Sequence, residues 1–181
     1  MTAVEIMVNE HNNIRRLIKV IRKKCFNLIK TNEINYDEFF QIVDFIKNYA
    51  DKHHHGKEEI FLFNRMVENL GPRAEKVVKQ GMLVEHDLGR LYVSELESAL
   101  NRCKAGEEEA MVDIIGNAIG YANLLARHAD KEDKVIYTYA ERELSSEIID
   151  EINNQCIEYE KEHQNIADKY LKILNKLEET I

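Results

Sequence analysis

Two short stretches of this chain occur twice. EHNNIRRL, beginning at Glu10, returns as EHDLGRLY at Glu85, and HHGKEEIFLF from His54 returns as HADKEDKVIY from His128. From His11 to His86 is 75 residues and from His54 to His128 is 74; within each copy the two histidines stand 43 and 42 apart. One unit of about this length, present twice and too long for a solenoid repeat, implies two like hairpins related by a pseudo-twofold. That constrains the fold more than any other feature of the sequence.

The hairpins are helical. No segment alternates polar and apolar residues with period two, so no strand is expected. Only one proline and seven glycines interrupt 181 residues. Five helices follow: Ala3 to Lys30; one opened by Asn35 with Glu38 as a reciprocal cap and running to Leu70; one started by Gly71-Pro72 and running to Lys104; one from Glu107 to Glu143; and a last one capped at Ser145 or Ser146. The whole reads as a single domain, 1–181, with a bundle over about 3–143 and an extra C-terminal helix over about 146–179. That last helix either covers the bundle or pairs two chains in a homodimer.

Composition narrows the function. A net charge of −8 without a basic patch argues against nucleic acid, the cluster Lys19 to Lys24 reading as a solvated helix face. No apolar run approaches the roughly 18 residues of a membrane span. The start of the chain lacks the basic and then apolar pattern of a signal peptide. Cys25, Cys103 and Cys156 are odd in number and far apart, which fits a reducing compartment, the cytoplasm, better than a disulfide framework or a zinc ribbon.

If the helices run up and down, heights can be compared by counting from each turn, at about 1.5 Å per residue. His11 lies 19 residues before the first turn and His54 lies 18 after it; His86 lies 18 before the third turn and His128 lies 21 after it. Across the middle turn Glu58 is 12 before and His86 is 13 after. All four histidines therefore share one level. His54 and Glu58, like His128 and Glu132, are four residues apart and share a helix face. With 33 acids in 181 residues such pairs are common by chance. They carry weight only because they repeat at one height. Imidazole and carboxylate together suit iron, manganese or zinc.

The triplet His53, His54, His55 leaves a choice, because successive α-helical residues point about 100° apart. The repeat aligns His54 with His128, which favours it, with His55 and Glu59 as the alternative. His163 stands alone on the last helix and reads as a capping or surface residue. Phe39, Phe45, Phe61, Phe63, Tyr121 and Tyr137 read as core.

At Glu10-His11, His54-x-x-Lys57-Glu58-Glu59, Glu85-His86 and His128-x-x-Lys131-Glu132-Asp133 the chain resembles the hemerythrin-like family in its single-domain HHE cation-binding branch, over about Val4 to Tyr139. The resemblance implies an all-α fold, an up-and-down antiparallel four-helix bundle holding two iron ions bridged by oxo or hydroxo oxygen, with zinc or manganese as substitutes. By motif position His11, His54, His86 and His128 are ligands and Glu58 and Glu132 are bridging carboxylates. Oxygen-carrying hemerythrins place another histidine one turn after the third-helix ligand, where this chain has Arg90. One ion then has fewer imidazoles, with Tyr49, Tyr92 or Tyr121 as replacements. This favours reaction with peroxide, nitric oxide or dioxygen over simple oxygen carriage. The rival readings are an iron-buffering or redox-sensing module without turnover, and a metal-free bundle. A ferritin-like oxidase needs two Glu-x-x-His motifs, and only Glu160 to His163 fits one. A zinc protease needs H-E-x-x-H, which does not occur.

Overall fold

Thr2 caps the first helix. The Thr2 hydroxyl accepts the Glu5 N–H at 3.1 Å and the Glu5 carboxylate accepts the Thr2 N–H at 2.7 Å, so two otherwise unpaired donors are satisfied at once. A computed structural model describes residues 1–181 and contains only helices and short turns. Helix α1 is Ala3–Thr31 and closes on Asn32 in a left-handed conformation.

The second helix, α2, spans 36–70. Asn35 caps it through Glu38 N–H at 3.3 Å. The Glu38 side chain does not return to the cap as expected; it accepts from the buried Lys24 ammonium at 2.7 Å instead. Gly71, at φ 73° and ψ −164°, ends α2 and aims Pro72 into α3, 72–104. Only glycine takes that backbone conformation without strain. Helix α4 spans 110–143, opening three residues later than the sequence suggests because the chain turns at 105–106 and again at 108–109. Helix α5 is Ser146–Glu179, with the Ser145 hydroxyl accepting Ile148 N–H at 3.4 Å.

α1 packs on α2 and α4, α3 packs on α2 and α4, and α5 lies along α1 and α2. The apolar core falls into two parts. A larger one, around Ile14, Leu17, Phe45, Leu96 and Leu125, fills the end near the α1–α2 turn. A smaller one, around Met7, Phe63, Met66 and Tyr137, fills the end near Gly71. Between them lies a layer of buried histidines and acids.

Four helical stretches bond i to i+5 instead of i to i+4: Ile46–His55, Glu58–Phe63, Val78–Met82 and Glu132–Ile136. Such wide turns concentrate at functional sites. Here they carry His54, His55, Glu58 and Glu132.

Gly71→Ala is expected to destabilise the fold by about 1–3 kcal/mol through backbone strain alone, since no atom lies within 4 Å of its added Cβ. Gly116→Ala, in an ordinary exposed helical position with equally open space, is expected to stabilise it by about 0.5–1 kcal/mol. Urea denaturation of the two variants measures both.

Candidate metal centre

Seven side chains converge in the polar layer. α1 supplies His11, α2 supplies His54, His55 and Glu58, α3 supplies His86, and α4 supplies His128 and Glu132; none is more than 3% exposed. They form two groups, each with nitrogen or oxygen atoms within 4.8 Å of one another: His55, Glu58, His86 and His128, and His11, His54, Glu58 and Glu132. Glu58 belongs to both, its Oε2 lying 3.6 Å from His54 Nε2 and from His86 Nε2. Glu132 spans them too, with Oε2 3.2 Å from His11 Nε2 and Oε1 3.1 Å from His128 Nε2.

Each imidazole is oriented by a carboxylate at its other nitrogen. His11 Nδ1 meets Asp133 at 2.6 Å, His86 Nδ1 meets Glu59 at 2.7 Å, His54 Nδ1 meets Glu10 at 2.9 Å and His128 Nδ1 meets Glu85 at 2.8 Å. His55 Nδ1 meets Asp51 at 3.4 Å. An ionised carboxylate only accepts, so Nδ1 carries the proton and Nε2 turns a bare lone pair toward the centre. The arrangement obeys the repeat. Each EH glutamate holds the second histidine of its own half, and each EH histidine is held by an acid of the other half.

The centre lacks positive charge. His11, His54 and His55 Nε2, Glu58 Oε2 and both Glu132 carboxylate oxygens are buried without a hydrogen-bond partner. His86 Nε2 and His128 Nε2 stand 3.0 Å apart, two lone pairs face to face once both Nδ1 atoms hold protons. Buried acceptors in that state are costly, and a cation between them removes the cost. The donor set of imidazole nitrogen and carboxylate oxygen suits a first-row transition metal. Without one, protons take its place. Burial pulls His11 and His86 down, yet Asp133 and Glu132 on the first, and Glu132 and Glu59 on the second, hold both up to about 10.

The six residues singled out from sequence all lie in this layer. His54 and His55 both lie in the layer, each in a different group, on a wide turn through Ile46–His55 that rotates successive residues by less than the 100° of an α-helix. The alternative partner Glu59 does not face the centre and instead holds His86. His55 brings its group to three histidines, against two, His11 and His54, in the other.

Arg90 is no vacant ligand position. It binds Glu59 at 2.7 Å and Asp51 at 2.9 Å, as Arg15 binds Asp133 at 2.6 Å in the other half. Tyr49 accepts from Asn13, Tyr92 packs on Gly120, and the Tyr121 hydroxyl is buried without a hydrogen-bond partner. Tyr137, read as core, donates its hydroxyl to Glu58 Oε1. The signal was present: Tyr137 aligns with Phe63 in the repeat, and the two rings lie over His11 and His86. His163 stacks on Tyr159 with ring centres 3.9 Å apart and bonds its carbonyl, away from the centre. His53 faces Glu10 and Glu160, and the Lys57 ammonium sits among the three.

A family model described as the hemerythrin HHE cation binding domain matches residues 2–140. No curated protein matches the chain.

Because His11 and His86 keep their protons up to about pH 10 in the metal-free protein, a metal ion must displace protons to bind at pH 7. Metal affinity is expected to rise with pH from 6 to 9, with measurable proton release. Calorimetry in buffers of different ionisation enthalpy checks this; a heat independent of buffer would contradict it.

Proposed function

The chain belongs to the hemerythrin HHE cation-binding family, and we propose from this membership and its own geometry that it holds two iron ions and binds or reacts with a small ligand such as dioxygen, peroxide or nitric oxide. In this reading α1 to α4 are an up-and-down antiparallel four-helix bundle, α5 is an addition to it, and residues 1–181 are one domain. His55, His86 and His128 hold one ion, His11 and His54 hold the other, and Glu58 and Glu132 lie between them. Zinc and manganese accept the same donors. When bound, iron would supply a redox-active Lewis acid to which such a ligand can attach.

The observation that carries the reading is the set of unsatisfied Nε2 and carboxylate atoms at the middle of the fold. The protein's own groups do three things around it. The carboxylates at Nδ1 fix each ring's orientation and proton. Tyr137 holds one oxygen of Glu58, leaving the other for the centre. The two apolar cores above and below keep bulk water away.

A second reading, an iron-buffering or redox-sensing module without turnover, is favoured by one contact. Glu160 of α5, beyond the matched residues 2–140, reaches Lys57, which binds Glu10, which in turn orients His54. Changes at the centre would thereby reach an outer helix. No helix is long and apolar enough to cross a membrane, and the cysteines are free, which supports a cytoplasmic setting.

Anaerobically purified protein is expected to carry two irons per chain. His55→Ala is expected to lose about half of them, and Glu132→Ala nearly all, because Glu132 serves both groups. Full iron retention by Glu132→Ala, measured by elemental analysis, would sink the assignment. Peroxide consumption faster than by free iron separates the reactive protein from the buffering or sensing module.

A further inference from the structure

Helix α5 covers one half of the molecule and leaves the matching face of the other half bare. It lies on the outer side of α1 and α2 and runs parallel to α1: Asn153 near its start accepts the Ala3 N–H at 2.7 Å, and the Thr180 carbonyl at its end accepts from Lys24 at 3.0 Å. On α1, Ile6, Asn9 and Asn13 line the groove shared with α5, and Arg16 binds Glu178. On α2, His53 and Lys57 face Glu160, and the Phe61 ring meets the Tyr159 ring edge-on. The repeat carries each of these residues to the other half, by 75 positions from α1 to α3 and by 74 from α2 to α4. Ile6, Asn9, Asn13 and Arg16 correspond to Gly81, Val84, Leu88 and Leu91; His53, Lys57 and Phe61 correspond to Arg127, Lys131 and Val135. No element of this chain lies over them as α5 lies over α1 and α2. Val84, Leu91 and Val135 are more than half exposed, Leu88 is 38% exposed, and no neighbouring element comes within 4 Å of a Cβ placed at Gly81. The bundle does not need these residues, because α3 buries its opposite side, with Met82, His86, Gly89 and Val93. Where α1 offers asparagine and arginine to α5, α3 offers valine and leucine to solvent.

Spacing and charge identify what covers this face. Gly81, Val84, Leu88 and Leu91 follow one another at intervals of three, four and three, the spacing of a seam between two helices. The borders of the seam carry opposite charge. On the α4 side Lys131, which binds Glu85, is 44% exposed, and Arg127 one turn before it is exposed and has no ion pair. On the α2 side Asp87 is 75% exposed and holds only Arg90, which reaches Asp51 and Glu59 of α2. His86 Nε2 stands 3.0 Å from His128 Nε2, so their neighbours Asp87 and Arg127 lie at one height. A twofold axis running along α3 sets a second α3 parallel to the first and in register, just as α5 is parallel to α1. The same axis turns the α2 side of each chain toward the α4 side of the other, so Asp87 meets Arg127 of the second copy at equal height.

We propose that this face pairs two copies of the chain: α3 lies against α3 of the second copy, parallel and in register, with Val84, Leu88 and Leu91 in the seam and Asp87 paired with Arg127 across it. The second copy then does for Arg127 what Glu160 of α5 does for His53 in the covered half. The pairing does not depend on what the centre binds.

Analytical ultracentrifugation of the full-length protein, as purified, is expected to give the mass of two 21.2 kDa chains at about 100 μM. Leu88→Glu, at an exposed position of the single chain, is expected to keep the helical content and to weaken association at least about a hundredfold, because the seam would bury two unpaired carboxylates. Asp87→Arg is expected to weaken association about tenfold by setting like charges together, and Asp87→Arg combined with Arg127→Asp to restore it. Should Leu88→Glu fail to fold, the charge exchange decides the matter. A monomer at that concentration overturns the proposal and leaves the face to a helix of another protein. A dimer that Leu88→Glu leaves intact overturns it by placing the contact elsewhere, and so does a charge exchange that restores nothing.

Discussion

Two carboxylates and five imidazoles share the buried middle of this fold, where three of the Nε2 atoms and three of the carboxylate oxygens have no hydrogen-bond partner, and the rest of the structure is built around that demand for positive charge. An unpaired buried charge is among the most costly features a protein can carry. Here it is held in place by a ring of acids at the outer nitrogen of each histidine, by the Tyr137 bond to Glu58, and by apolar layers on both sides. The outer acids are themselves anchored by cations: Arg15 on Asp133, Arg90 on Glu59, Lys57 on Glu10 and Lys131 on Glu85. Each shell fixes the one inside it, which is how a site assembled from four helices keeps its geometry.

The pseudo-twofold symmetry of these shells makes its breaks informative. Three stand out. His55 faces the centre where the other half has Ala129, so the two groups hold three and two histidines. Gly89 replaces the packing of Ile14, which opens a cavity on the three-histidine side. And α5 buries Lys57 while Lys131 stays half in solvent, so only one half is covered. The two histidine–carboxylate groups are therefore unlike in histidine number and in surroundings, although the motifs that build them are nearly the same.

Much of this was legible in the sequence. The repeat and the distance of each histidine from its turn placed His11, His54, His86 and His128 at one level, and the i,i+4 rule added Glu58 and Glu132. Helix ends at Asn35, Gly71 and Ser145 followed from capping chemistry. What the sequence hid was hydrogen-bond register. Hydrophobic periodicity does not reveal where a helix widens to i→i+5, and only that widening turns both His54 and His55 inward. The role of Arg90 was hidden by comparison with a family pattern, yet its pairing with Arg15 stood in the repeat itself. Glu160 had no counterpart in either half and could not be found without the packing of α5.

The account is tested most directly by diffraction from crystals of the iron-loaded protein at wavelengths on either side of the iron absorption edge. Two anomalous peaks per chain are expected, flanked by Glu58 and Glu132, one beside His55, His86 and His128 and the other beside His11 and His54. A single peak, or iron bound at Glu10, His53 and Glu160 with the central layer empty, would contradict it.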